Sequence, residues 1–182
     1  MRRSDKAAGR FGLVLLVVAL VVAALYFTGW GAIIKNVAVL AWRGNAMVNL
    51  AKRTPFTPPS AGIVPEERLQ AYLDVCDRIK PAGDKIDEWE AAHARTGSQM
   101  VFKGGAAGLV ENFIDQFNLA LQQQRMGPEE FAWIEGRMRR AGGPASQTEP
   151  QSDRLLCAKY RDRLARSALG PHAKRIALGF AD

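Results

Sequence analysis

Residues 104–140 read GGAAGLVENFIDQFNLALQQQRMGPEEFAWIEGRMRR and carry a clear helical pattern. Apolar side chains recur there every three or four residues, as they do along one face of an α-helix. The apolar face of the first helix comprises Ala106, Val110, Phe113, Phe117 and Ala120 or Leu121. Gly127 and Pro128 end this helix and begin another, which runs to about Arg140, because proline suits the first helical turn. Its core-facing positions are Phe131, Ile134 and Met138.

On the amino-terminal side, Pro65-Glu66-Glu67 begins another helix, since acidic side chains favour the positive end of the helix dipole. Its apolar face comprises Leu69, Tyr72, Leu73, Cys76 and Ile79. We expect the run Lys80-Pro81-Ala82-Gly83 to end this helix, because proline removes a backbone donor. A shorter helix capped by Asp84 would follow. One side of that helix carries Ile86, Trp89 and His93.

The carboxy-terminal segment predicts one basic helix and a short tail. Ser152 or Asp153 would cap the helix. Its apolar side carries Leu156, Cys157, Tyr160 and Leu164. Gly170-Pro171 is expected to break it before residues 172–182. The alternation of apolar and polar residues that is typical of strands does not extend over a convincing length anywhere in the sequence. The expected fold class is therefore all-α, a small helical bundle domain.

The amino-terminal part predicts a membrane anchor. From Phe11 to Ile34 the chain has 24 residues without a charged side chain. A helix of that length measures roughly 36 Å, which exceeds the hydrocarbon thickness of about 30 Å. Tyr26 and Trp30 lie where aromatic rings suit the headgroup region. We therefore predict an N-terminal transmembrane helix that precedes the bundle.

A cleaved secretory signal is the alternative for this segment. Such signals have an apolar core of about 7–15 residues, followed by a small-residue cleavage site. Val22-Ala23-Ala24, the one fair match to such a site, lies inside the apolar run. The ten residues before the span contain four basic side chains, whereas the basic side chains after the span are spaced more widely along the sequence. This asymmetry favours a cytoplasmic N-terminus and a bacterial inner-membrane protein whose domain is periplasmic or otherwise extracytoplasmic.

The segment after the span is itself helical in pattern. Residues 35–53 could continue the anchor as a stalk, lie in the membrane interface as an amphipathic helix, or pack on the domain. Residues 54–64 contain three prolines within five positions, which favour an extended, semi-rigid spacer.

The sequence thus divides into seven segments. They are a basic N-terminal segment (1–10), a transmembrane anchor (11–34), an amphipathic helical extension (35–53), a proline-rich spacer (54–64), a helical domain (65–141), a flexible loop (142–152), and a basic C-terminal helix and tail (153–182).

Charge is distributed unevenly along the 182 residues. The formal net charge of +7 separates into +7 over residues 1–53, −4 over residues 54–150 and +4 over residues 151–182. A protein that neutralises phosphates should carry its positive charge on the folded domain. The central part of this domain is acidic, so we expect no nucleic acid among the partners. The basic C-terminal helix would dock on the acidic helices of residues 66–90, with anionic lipid or an acidic partner as the alternative.

Candidate chemical sites are few. Glu90 and His93 form a single Glu-x-x-His pair, whereas a di-iron carboxylate bundle needs two pairs and further glutamates. The glycines of residues 104–108 lack the Gly-Lys-Ser/Thr ending of a phosphate loop. We therefore expect no catalytic residues, no cofactor and no metal, and a non-catalytic protein is favoured over an enzyme.

Cys76 and Cys157 each lie on the apolar stripe of their predicted helix. They could be buried free thiols, which are common in protein cores. If the domain is exported to an oxidising compartment, a Cys76–Cys157 disulfide is predicted instead.

A resemblance rests on the motifs of residues 56–59 (FTPP), 65–69 (PEERL) and 126–134 (MGPEEFAWI). In these the sequence resembles uncharacterised bacterial single-pass membrane-anchored helical proteins over about residues 50–140. The resemblance implies an anchored helical envelope domain and carries no catalytic residue over to this chain.

The leading functional hypothesis is a membrane-anchored helical domain that mediates protein–protein interaction at the cell envelope. Its partners would be the lipid bilayer and another protein, with Trp133 as a candidate contact. The alternative is a domain that binds or senses a small molecule in a pocket between its helices.

Overall fold

The computed structural model describes residues 42, 44–93, 104–144 and 146–180. The chain divides into two compact units, Met1–Val39 and Leu40–Asp182, and the described residues all belong to the second. The predicted anchor, residues 11–34, lies outside the described residues, as does the basic segment before it. None of the helices in the described part has the length and apolar content of a membrane span.

Regular secondary structure in the described residues is helical throughout, with no strand among them, which confirms the all-α bundle. The α-helices are α1 (residues 44–53), α2 (Glu66–His93), α3 (Gly104–Gln123), α4 (Pro128–Ala141), α5 (Gln151–Lys159), α6 (Arg161–Ser167) and α7 (Pro171–Leu178). A short 3-10 helix, Ser146–Thr148, lies between α4 and α5.

Helix α2 is the central element, and α3, α4, α6 and α7 all pack against it. Its Tyr72 ring lies 4.9 Å, between centroids, from Phe131 of α4, which in turn meets Phe117 of α3 edge-on at 5.0 Å. Burying each such side chain contributes about 1.5–3 kcal/mol. The three rings therefore join α2, α3 and α4 around one apolar core.

Helix α2 runs unbroken through Pro81, so the expected end at residues 80–83 is wrong. Lys80 forms an ion pair with Asp84 (2.9 Å) that spans the proline on the outer side of the helix. On the inner side, a Cβ built on Gly83 would lie only 2.9 Å from Cβ of Ala173 in α7. Tight packing against α7 thus stabilises a helical path that the local breaker signals oppose.

The expected C-terminal tail is also wrong, because residues 171–178 form helix α7. Pro171 occupies its first turn, as Pro128 does in α4. The carboxylate of Asp87 in α2 accepts a hydrogen bond from the backbone N–H of His172 (2.9 Å) and so caps the helix from outside. Ala173 and Ala177 are buried against the rest of the bundle.

The predicted basic helix is interrupted at Tyr160, which separates α5 from α6. Neither Ser152 nor Asp153 is its N-cap. Pro150 holds that position, and Asp153 lies within the first turn and is fully buried.

The segment before α2 packs on the domain. Met47 and Leu50 of α1 are buried, so the packed interpretation holds for residues 44–53. Within the proline-rich segment the ring of Phe56 lies 5.4 Å from that of Trp133, and Val64 is buried. This segment contains no helix, turns at residues 60–61, where the N–H of Gly62 donates to the carbonyl oxygen of Pro59 (2.7 Å), and lies against the bundle at both ends.

Candidate ligand-binding cavity

A cavity of about 220 Å³ lies between α2, α4, α5, α6 and α7. Most of its lining is apolar or aromatic, and its polar side chains are few. The lining residues are Tyr72, Leu73, Cys76, Phe131, Glu135, Met138, Arg139, Cys157, Leu164, Ser167, Ala168, Leu169, Lys174 and Leu178. A largely apolar cavity with a few convergent polar groups is the usual form of a small-molecule site.

Helical spacing explains how distant parts of the sequence share this cavity. Tyr72 and Cys76 are one turn apart on α2, as are Glu135 and Arg139 on α4, so each pair faces the same side of its helix. The other walls come from α5, α6, α7 and the loop between α6 and α7.

A polar network crosses one side of the cavity. The hydroxyl of Tyr72 donates a hydrogen bond to Oε2 of Glu135, and Nζ of Lys174 forms an ion pair with Oε1 of the same carboxylate. Burial, with the nearby Cys76 and Glu135 groups, raises the pKa of Tyr72 well above its ordinary value. The tyrosine therefore keeps its proton and remains a donor at neutral pH.

Both cysteines line the cavity as free thiols. Burial raises the pKa of Cys76 to about 12, and burial also raises the pKa of the half-buried Cys157. Neither thiol has the lowered pKa of a reactive cysteine. The Cys76–Cys157 disulfide stays a prediction. Both cysteines line the same cavity.

Ion pairs hold α5 and α6 against the acidic side of α2. Lys159 contacts Glu66 (2.6 Å), and Arg163 contacts both Asp74 (2.5 Å) and Asp77 (2.8 Å). These contacts confirm the predicted docking of the basic segment on the acidic helices.

Two of these carboxylates have lowered pKa values. Hydrogen bonds from Lys159 and Tyr160 lower the pKa of Glu66. Burial pushes the pKa of Asp77 upward, but hydrogen bonds from Ser167 and Arg163 outweigh it and leave this pKa below its ordinary value. Both acids therefore stay ionised to a lower pH than a free carboxylic acid does.

A buried carboxylate fixes α5, and with it Cys157, against α4. Oδ1 of Asp153 accepts a hydrogen bond from the backbone N–H of Val64 (3.0 Å), while Oδ2 accepts two from Arg137. Arg137 also pairs with Glu149 (2.9 Å), so the expected flexible loop is tied to α4 at its end. The sequence gives only a weak signal for this network, because one acidic residue at the start of a basic helix predicts a helix cap.

The other predicted candidates lie outside the cavity. His93 stacks on Trp89 at 4.1 Å between ring centroids, and its Nδ1 lies 2.7 Å from the carbonyl oxygen of Trp89. Trp133 is half-buried and packs against the core beside Phe56. Among residues 44–93, 104–144 and 146–180, no group of three or more His, Cys, Asp or Glu side chains is arranged to hold a metal ion.

Comparisons with protein-family models, with curated proteins and with solved structures found no significant match to this chain.

Proposed function

We propose that this protein is a single-pass membrane protein whose helical domain binds a small, mainly apolar molecule in the cavity between α2, α4, α5, α6 and α7. The cavity itself is the observation that carries the proposal. Its walls are apolar, and Tyr72, Glu135 and Lys174 converge on one side, where they can orient a polar group of the ligand.

The cavity volume sets the size of the ligand. A dry apolar cavity of about 150 Å³ is large enough for a benzene ring. The volume of about 220 Å³ therefore suits one ring with a short substituent, or a short aliphatic chain. The thiols and the apolar side chains offer dispersion contacts rather than hydrogen bonds to such a molecule.

A thermal-shift panel tests binding on the full-length protein in lipid nanodiscs, with empty nanodiscs as the blank. We expect a matching compound to raise the midpoint of unfolding, because a ligand at 100 times its Kd stabilises the folded state by about 2.7 kcal/mol. The panel contains ring compounds and short chains of about 8–12 non-hydrogen atoms, a size scaled from the benzene-sized cavity.

A matched pair of variants tests whether a compound that raises the midpoint of unfolding binds in the cavity. Leu164→Trp fills the cavity and should abolish the shift, since Leu164 lines it. Leu155→Trp makes the same substitution at an exposed position of α5 outside the cavity lining and should retain the shift. Stabilisation by no compound, or an equal shift in both variants, would overturn the proposal.

The membrane location rests on the uncharged segment from Phe11 to Ile34 and on the basic residues before it. We propose an inner-membrane anchor with a cytoplasmic N-terminus and an extracytoplasmic domain. Protease treatment of intact spheroplasts carrying a C-terminal tag tests this topology. Digestion from outside supports it, whereas protection of the tag until lysis would place the domain on the cytoplasmic side.

Protein–protein interaction at the envelope is the second candidate function. Exposed apolar side chains favour it: Trp42 is 71% exposed and Leu155 on α5 is 63% exposed. Trp133 is a weaker contact candidate, because its ring already packs on Phe56. Photo-crosslinking from position 155 in cells tests this function, with a probe at exposed Leu119 of α3 for comparison. A defined adduct from position 155 alone would support a partner that contacts α5.

A further inference from the structure

The side of the cavity formed by α4 and α7 separates it from an outer groove of about 560 Å³. Four side chains line both spaces. They are Glu135, Arg139, Lys174 and Leu178. Arg175 and Pro171 line only the groove. The cavity and the groove therefore adjoin at these four side chains.

The shared wall and the groove carry an excess of positive charge. Lys174 is neutralised by Glu135, the one acidic side chain that lines either space among the described residues. Arg139 and Arg175 are exposed, and neither has an ion-pair partner within the part of the chain that the structure describes. Two guanidinium groups thus stand uncompensated at the outer side of an apolar cavity.

We propose that the ligand is a small amphipathic carboxylate, with its apolar part in the cavity and its carboxylate at Arg139 and Arg175. This inference rests on the proposed ligand-binding function and names its substrate class. A guanidinium group presents paired donors in a planar fork that matches both oxygens of a carboxylate. Phe131, Leu73 and Leu164 supply the apolar surface for the ring or chain.

The charges favour an anionic ligand over a cationic or a neutral one. A cationic ligand would meet Arg139, Arg175 and Lys174, and the carboxylate of Glu135 already accepts from Tyr72 and Lys174. A neutral ligand would gain no electrostatic attraction from the two guanidinium groups. An anion gains from both, and the gain decreases as salt screens the exposed charges.

Isothermal titration calorimetry with phenylacetate and phenylacetamide tests the inference, because the two probes differ in charge and hardly in shape. The full-length protein is used in nanodiscs of neutral lipid, and empty nanodiscs serve as the blank. We expect phenylacetate to bind at least tenfold more tightly than the amide, with weaker binding at 500 mM than at 50 mM salt. Hexanoate and hexanamide provide the equivalent aliphatic pair.

The double variant Arg139→Gln, Arg175→Gln should weaken phenylacetate binding about tenfold and so remove most of the preference for the acid over the amide. Arg154→Gln on α5 is the matched control, since Arg154 is exposed and lines neither the cavity nor the groove. The thermal unfolding midpoint of the double variant, measured beside that of the parent protein, shows whether it remains folded.

The outcomes separate the two proposals. Equal affinity for acid and amide would overturn the carboxylate assignment and leave the cavity function standing. Full acid affinity in the double variant would overturn the role of the two arginines. Binding of neither pair, together with a failed thermal-shift panel, would overturn the cavity function itself.

Discussion

The guanidinium group of Arg137 on α4 donates two hydrogen bonds to one carboxylate oxygen of Asp153 on α5, at 2.9 Å from Nε and 2.6 Å from Nη2. Asp153 is completely buried, whereas the side chain of Arg137 is 15% exposed. The other carboxylate oxygen accepts a hydrogen bond from the backbone N–H of Val64. One acidic group therefore joins residues 54–64 to α4 and α5.

Asp153→Ala should destabilise the domain by about 3 kcal/mol, because removing one partner of a buried ion pair leaves the other charge uncompensated. Glu149 still pairs with Arg137 in this variant. The loss of stability should therefore lie near the lower end of the range for a broken buried ion pair. Urea unfolding of the full-length protein in nanodiscs, followed by tryptophan fluorescence, measures the change.

The matched control for this variant is Asp162→Ala, which removes an exposed acidic side chain from α6 and should change stability by less than about 0.5 kcal/mol. Similar losses in both variants would contradict the structural role assigned to Asp153.

Packing at Gly83 provides a second test. Gly83→Ala and Gly108→Ala both gain about 1 kcal/mol of helix propensity. At Gly108 an added Cβ meets no atom within 4 Å, so this variant should be more stable than the parent protein. At Gly83 the new Cβ would lie 2.9 Å from that of Ala173, and overpacking should cost about 1–3 kcal/mol.

The difference between the two glycine variants isolates the contact of α2 with α7, since the propensity gain is common to both. Thermal unfolding of the two proteins side by side measures it. Equal midpoints would show that α2 and α7 do not approach each other as closely as the structure has them.

The contact of α2 with α7 also explains which parts of the fold could be predicted from the sequence. Helices α3 and α4 were predicted because large apolar side chains mark their buried faces. Helix α7 was missed because its fully buried positions are the alanines Ala173 and Ala177, which give little hydrophobic signal. The continuity of α2 was missed because Pro81 and Gly83 are local breakers, and only the packing of α7 overrides them.

The sequence likewise predicts one part of the cavity lining and leaves another part unpredicted. Tyr72, Cys76, Cys157 and Leu164 all lie on apolar faces that the sequence predicted, so most of its apolar wall could be anticipated. The polar side could not, because Glu135 and Lys174 belong to different helices and their pairing depends on the position of α7. Helical periodicity reports which face is buried and carries no information on which faces meet.

Acid should weaken the attachment of α6 to α2. The pKa of Asp77 is lowered from 3.8, so its contribution to stability is complete above that value and is lost as pH falls through the lower folded-state pKa. The group is largely solvated, and the contribution at neutral pH should be no more than about 1 kcal/mol. Asp77→Asn should therefore be less stable than the parent protein at pH 7, with the difference shrinking below about pH 4.

A double-mutant cycle assigns this effect to the ion pair. In an Arg163→Gln background the Asp77→Asn substitution should cost less, because one of the two groups that stabilise the ionised carboxylate is already absent. Thermal midpoints from pH 7 to pH 2 for the four proteins provide the measurement. An Asp77→Asn effect that is independent of pH would contradict the lowered pKa.

Thiol reactivity should distinguish the two cysteines in reduced protein. Cys76 lines the cavity and its pKa is about 12, so at pH 8 it stays protonated and should react with N-ethylmaleimide much more slowly than Cys157. Cys157 is only half-buried and should react first, although slowly. The single variants Cys76→Ala and Cys157→Ala identify each thiol by mass spectrometry, and rapid labelling of Cys76 would contradict its placement.

The compartment determines whether these thiols are bonded in the cell. For an extracytoplasmic domain we expect a Cys76–Cys157 disulfide, which closes a long loop and could contribute on the order of 4 kcal/mol. Cells are lysed in acid, the protein is denatured, and free thiols are labelled with N-ethylmaleimide before and after reduction. The protein should gain two labels only after reduction. Two labels without reduction, in cells whose tag is digested from outside, would show that export occurs and that the cavity keeps both thiols free.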